Sequence, residues 1–147
     1  MSSESQSGTQ RCNCLALRQA ARAATQLYDR HLAPAGVRTT QFSVLVNLGR
    51  LGPMTINGLA AEMVVDRTTL GRNILPLERD GLIAIRQGAT DKRRKELELT
   101  AAGTERLRRA AKLWANAQKE FEAQFGVERA AGLRMELRAV AAIGARQ

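Results

Sequence analysis

Apolar residues recur along most of this chain at three- and four-residue spacing, the period of helices that bury one face. Between residues 12 and 33, Cys14, Leu17, Ala21, Ala24 and Tyr28 keep that spacing while Arg18, Arg22 and Asp29 fall between them. The pattern predicts a long first helix, stopped near Pro34 and Gly36. Thr39 and Thr40 are candidate caps for a short second helix carrying Phe42, Leu45, Val46 and Leu48, which Gly49, Gly52 and Pro53 break. The segments TINGLAAEM and RTTLGRNILPLERDGL then predict two short helices joined only by Val64, Val65 and Asp66. So tight a joint is that of a helix-turn-helix. Asp66 is suited to cap the second of the pair and Gly81 to terminate it, while Pro76 removes a backbone donor inside it and is expected to bend its second half.

After Gly81 the period changes. Leu82–Ile85 reads as a strand, GATDKRRK as a polar turn, and the alternating Glu96, Leu97, Glu98 and Leu99 as a second strand, which together make a β-hairpin with a basic tip. Thr100 can cap the following helix, whose apolar stripe runs Leu107, Ala111, Trp114, Ala117, Phe121 and Phe125. A last helix, from Glu128 to about Ala145, carries Leu133, Leu137, Val140 and Ile143. The expected fold class is mostly α with a small β-hairpin wing, a winged helix-turn-helix. Residues 1–11, rich in Ser and Gln, are expected to be a disordered tail before a single domain over 12–147.

Composition narrows the function. A length of 147 residues suits one domain, and 44% hydrophobic with 25% charged residues excludes wholesale disorder. With 23 Lys plus Arg against 14 Asp plus Glu the net charge is +9, which attracts polyanions, nucleic acid first among them. No apolar run approaches the roughly 18 residues of a membrane span, and the first ten residues lack a basic start and an apolar stretch, so a cytoplasmic protein is expected. Cys12 and Cys14 are too few and too close for a disulfide framework. The enzyme reading fails on inventory: there is one histidine, His31, and no nucleophile elbow, glycine-rich phosphate loop or metal-ligand spacing. No catalytic residue, metal or cofactor is expected.

The second helix of the helix-turn-helix divides into two faces. Turning about 100° per residue from Leu70, Ile74 and Leu77 fall within about 40° of it, whereas Thr68, Arg72 and Arg79 lie near 160°, 200° and 180°. A recognition helix needs this split, one face packing and the other offering donors to the major groove. Arg72 is the first candidate for a base contact, because a guanidinium pairs bidentately with guanine. Thr68 and Thr69 suit phosphates, a thymine methyl or a single base bond, and Asn73 lies further round; Arg67 completes this group of DNA-contacting candidates. An ordinary amphipathic surface helix would show the same split, and the hairpin decides between them. From Arg86 to Lys95 there are five basic residues against Asp91 alone. A basic hairpin directly after a helix-turn-helix is a wing, with Arg93 or Arg94 the candidate for the minor groove.

The run DKRRKELELTAAG, preceded by the helix-turn-helix and LERDGLIAI, resembles the signature of the MarR family of winged-helix regulators, with Asp91, Arg93, Leu97, Leu99, Thr100 and Gly103 at the positions of its motif. The resemblance extends from about Cys12 to Ile143. It implies a sequence-specific double-stranded DNA-binding regulator, a repressor acting as an intertwined helical homodimer on a pseudo-palindromic operator. Residues 12–36 and 101–147 would be the dimerisation helices and 37–100 the DNA-binding module. The apolar stripes of the first and last helices point to a dimer independently, being too extensive for the small central module to cover.

The family's usual control is release from DNA by a small, often aromatic and anionic, effector. Trp114, Arg18 and Arg22 are within reach of such a cleft, but the sequence assigns no ligand residues. An alternative is thiol sensing. Cys14 falls where the organic-hydroperoxide sensors resembling this family carry a reactive cysteine, and Tyr28 where they carry a tyrosine that meets the partner subunit's cysteine. Thr39 and Arg18 stand where those sensors have further aromatic residues. A dimeric interaction protein without a DNA target is the third reading.

Overall fold

The computed structural model describes residues 8–144. In chain order its elements are α1 (Asn13–Leu32), a 3-10 turn (Ala33–Ala35), α2 (Thr39–Leu51), β1 (Met54–Thr55), α3 (Ile56–Met63), α4 (Arg67–Arg79), β2 (Ile83–Gln87), β3 (Lys95–Leu99), α5 (Ala101–Phe125) and α6 (Val127–Gly144). The mostly helical fold and the hairpin match expectation. The hairpin, however, belongs to a three-stranded antiparallel sheet in the order β1-β3-β2. Met54 pairs with Leu97 and Thr55 with Glu96 on one side of β3, and Ile83 to Gln87 pair with Leu99 to Lys95 on the other. A two-residue strand is too short to alternate visibly, which is why β1 leaves no trace in the sequence pattern.

Most of the expected disordered tail, residues 1–7, lies outside the described residues. Residues 8–10 correct the rest of that expectation: they form a helical turn, with Arg11 N–H donating to Gly8 O at 3.2 Å and Cys12 N–H to Thr9 O at 3.1 Å. Such i to i+3 bonds need no tertiary partner. The cap of α2 also differs. Arg38, not Thr39 or Thr40, is the N-cap, and its N–H donates to Gln41 Oε1 at 3.0 Å. Thr39 is instead clamped from outside, its N–H and its hydroxyl both donating to Asp29 Oδ1 of α1 at 2.7 Å.

The helix-turn-helix has the three-residue joint expected. Val64 ends α3 in the left-handed region at φ 56°, an unusual conformation for a β-branched residue. Asp66 then opens α4: its carboxylate accepts the Thr69 N–H at 2.9 Å and the Thr69 hydroxyl at 2.5 Å. These bonds hold its pKa below the ordinary carboxylate range, the hydroxyl bond first and the backbone bond second. The helix runs unbroken through Pro76 and ends at Asp80, followed by Gly81 at φ 74°.

Leu70, Ile74 and Leu77 bury the inner face of α4 in a core with Leu45 and Leu48 of α2, Leu59 of α3, Ile83 of β2 and Leu97 of β3. The face of α5 that packs inward is one of small residues. Gly103, Ala110 and Ala117 are buried at seven-residue intervals, while Trp114 of the expected stripe stays 38% exposed. Small side chains let α5 approach α1 and α2 closely, and the larger residues line the flank of that contact. At Gly103 the approach is closest, because an added Cβ would stand 1.9 Å from the Leu82 carbonyl oxygen. That oxygen already accepts the Thr100 N–H at 3.1 Å, and the Thr100 hydroxyl donates to Gly81 O at 2.6 Å.

Two stability predictions follow from these contacts. Gly103→Ala should destabilise the fold by about 1–3 kcal/mol or more, since backbone rather than a flexible side chain must give way. Gly71→Ala, whose Cβ would meet open space in mid-helix, should stabilise it by up to about 1 kcal/mol. Urea unfolding checks both, and effects of the same sign would contradict the packing described. For Asp66, a folded pKa below the unfolded value near 3.9 means that its contribution is present above that pH and lost as pH falls through the folded pKa. The gap in urea midpoint between the wild type and Asp66→Ala should therefore be full at pH 7 and shrink below about pH 4. A gap unchanged down to pH 2 would refute the charged cap.

Candidate nucleic-acid interface

Burial of Leu70, Ile74 and Leu77 turns the opposite face of α4 to solvent. Arg67, Thr68, Arg72, Leu75 and Arg79 are exposed there. Two further candidates on the helix are engaged within the chain. The Thr69 hydroxyl is held by Asp66, and Asn73 accepts the Thr40 hydroxyl at 3.1 Å while its amide donates to Thr69 O at 3.2 Å.

The wing is shaped by its one acid. Asp91 Oδ1 accepts the Arg93 N–H at 3.0 Å, Arg94 N–H donates to Asp91 O at 3.1 Å, and Gly88 N–H closes the loop on Arg94 O at 2.7 Å. The aspartate thus folds the turn rather than neutralising it. Among the described residues no ion pair engages Lys92, Arg93, Arg94 or Lys95, whereas Arg86 is paired with Glu98. The usable charge of the wing is therefore its tip.

Tip and helix meet across a cleft of about 420 Å³, lined by Thr55, Ile56 and Asn57 at the start of α3, Arg67 at the start of α4, and Arg93, Arg94 and Lys95 of the wing. Three of the sequence candidates, Arg67, Arg93 and Arg94, are brought together here. Thr68 and Arg72 belong to the adjoining open face of α4. Lys95 and the residues at the start of α3 were not singled out from sequence, because only the pairing of β1 with β3 carries them to the wing. The chemistry on offer is a concave set of cations beside a helix presenting a hydroxyl and guanidinium groups. This arrangement suits a phosphate backbone with base edges beyond it.

A second cavity, of about 550 Å³, lies between α1, α2 and α5. Its walls include Tyr28, Thr39, Phe42, Val46 and Trp114, with the Phe42 and Trp114 rings stacked at 6.3 Å and 27°. Trp114 was within reach of such a cleft on sequence grounds; Arg18 and Arg22 do not line it, and no charged side chain does. The Tyr28 hydroxyl donates to Gln118 Oε1 of α5, and burial, with Glu122 adding and Arg134 opposing, raises its pKa. His31 joins the same helices, its Nε2 2.5 Å from Glu120 Oε2, a bond that lowers the Glu120 pKa.

The cysteines stand apart from this cavity. Cys12 caps α1, its Sγ accepting the Leu15 N–H at 3.4 Å, and Cys14 is exposed in the first turn. Cys14 and Tyr28 sit on one helix roughly 21 Å apart, so the chain does not bring them together. Among the described residues no group of His, Cys, Asp and Glu could hold a metal ion, and no helix is long and apolar enough to cross a membrane.

Known proteins share this architecture. The MarR family model matches residues 38–95. A curated relative, the uncharacterized HTH-type transcriptional regulator YwoH of Bacillus subtilis (strain 168), is 37% identical over 84 residues, 57% of this chain; the match spans 61% of that relative's length. The crystal structure of the transcriptional regulator MosR of M. tuberculosis in complex with DNA superposes with a TM-score of 0.82 at 38% identity, covering 92% of this chain and 98% of that one. A cysteine-to-serine mutant of MarR from E. coli complexed with operator DNA, 22% identical, shares the fold with a TM-score of 0.76 over 84% of this chain and 89% of its own. With a wing built on the D-x-R turn, a helix-turn-helix beside it, and near-complete coverage of a relative at 38% identity, the chain belongs to the MarR family.

Proposed function

We propose that this chain is a cytoplasmic transcriptional regulator, a repressor, that binds a pseudo-palindromic operator in double-stranded DNA as a homodimer. The observation that carries the reading is the cation-lined cleft between wing and α4, open beside the exposed face that holds Thr68 and Arg72. Arg93 and Arg94 contact phosphate or the minor groove, Arg67 fixes the helix on the backbone, and Arg72 reads a base. Thr69 and Asn73, both engaged inside the chain, hold α4 in place for its neighbours. Bound DNA in the printed descriptions of two family members supports the same target.

Dimerisation through residues 12–36 and 101–147 follows from apolar surface left uncovered. On α6 only Ala130 is buried, while Met135 is 69% and Ile143 65% exposed, and the first half of α1 is largely exposed as well. A second copy burying these faces would also double the half-site that one winged module reads.

Release is assigned to a small aromatic effector in the cavity between α1, α2 and α5. Stacked rings and the absence of a charged wall favour an uncharged aromatic over an anion. Such a ligand acts only if it binds one dimer shape better than the other. Thiol sensing by Cys14 has its exposure in its favour. Against it, the Tyr28 hydroxyl is already bound to Gln118 of the same chain.

Anisotropy titrations with a duplex test the reading. Arg93→Ala with Arg94→Ala should weaken binding to every sequence and reduce the slope of log K against log salt by about 2, close to one per lost phosphate contact. A slope equal to wild type would remove the wing from the interface. Arg72→Ala should cost about 1–3 kcal/mol on the preferred duplex and little on others. A uniform loss would deny it a base-reading role, and indifference of the wild type to duplex DNA at low salt would favour a protein-interaction scaffold.

A further inference from the structure

One side chain on the exposed face of α4 is out of keeping with its neighbours. Measured from Leu70 at about 100° per residue, Leu75 lies near 140°, between Gly71 near 100° and Thr68, Arg79 and Arg72 near 160°, 180° and 200°. It points away from the core, and it is 66% exposed. A lone exposed leucine is ordinary. This one stands in the middle of a face whose other members are cations and a hydroxyl. Gly71, one turn before it, would direct a Cβ into open space, so nothing between Thr68 and Leu75 holds the helix away from a surface laid against it.

Charge selects the occupant. An apolar protein partner would meet Arg67, Arg72 and Arg79 around one leucine, whereas duplex DNA matches those cations and offers one apolar group at the base edges of its major groove, the thymine C5-methyl. We propose that Leu75 is a specificity-determining residue that packs on a thymine C5-methyl in the operator half-site. The inference rests on the DNA-binding reading above. Three residues of helix advance about 4.5 Å, near the roughly 3.4 Å rise between base pairs, so Arg72 and Leu75 address neighbouring pairs.

The probe is the duplex that the full-length protein retains best from a random pool, with deoxyuridine replacing each thymine in turn so that only the methyl is lost. Wild type should lose about fourfold in affinity at one thymine per half-site, the worth of a buried methyl. Leu75→Ala should bind more weakly and no longer distinguish the two bases there, while Leu75→Met and Arg72→Ala keep the distinction. A wild type insensitive at every thymine, or a penalty that persists in Leu75→Ala, overturns the assignment. If a sequence is retained and only the methyl effect fails, DNA recognition stands without Leu75. If no sequence is retained, both fall.

Discussion

β3 is the strand on which the rest of this structure depends. It is paired on both edges, with β1 on one side and β2 on the other, and Leu97 at its middle is fully buried. The wing leaves from its start. α5 leaves from its end through Thr100, and α3 begins directly from its partner β1, where Thr55 is both strand residue and helix cap. Antiparallel pairing therefore sets the distance between the start of α3 and the tip of the wing, and the basic cleft is what that distance leaves open. Without β1 the same arginines would sit on a free hairpin.

The module is joined to the long helices at few points, and those points are specific. Gly103 rests on the Leu82 carbonyl, where only the absence of a Cβ permits the contact, and Asp29 of α1 clamps the first residue of α2 through both donors of Thr39. Thr39 also walls the aromatic cavity, and Thr40, next in the chain, donates to Asn73 of α4. A molecule in that cavity thus lies one residue from a hydrogen bond to the helix that faces DNA. This proximity gives the effector reading a physical route, since both ends of it are polar contacts with discrete geometries.

Much of this was legible in the sequence. Strong periodicity fixed the helices, the three-residue joint and Asp66 fixed the helix-turn-helix, and the D-x-R turn with its alternating strand marked the wing. What could not be read has physical reasons. β1 is too short to alternate, Val64 adopts a left-handed conformation that its side chain argues against, and α2 is clamped by a carboxylate ten residues away. The inward face of α5 was misread because the stripe of large residues flanks the contact, while Gly103, Ala110 and Ala117 make it. The cavity was invisible for the same reason: its walls come from three helices, and in each the lining residues look like ordinary core.

The central claim is that the cation-lined cleft and the exposed face of α4 read DNA twice in one molecule. The most direct measurement is sequencing of the duplexes retained from a random pool by the purified full-length chain, together with the mass of the complex in solution. The account predicts an inverted repeat with half-site centres about 10 base pairs apart, bound by two copies of the 16.1 kDa chain. A single unpaired motif bound by one copy, or no enrichment at any salt concentration, would contradict it.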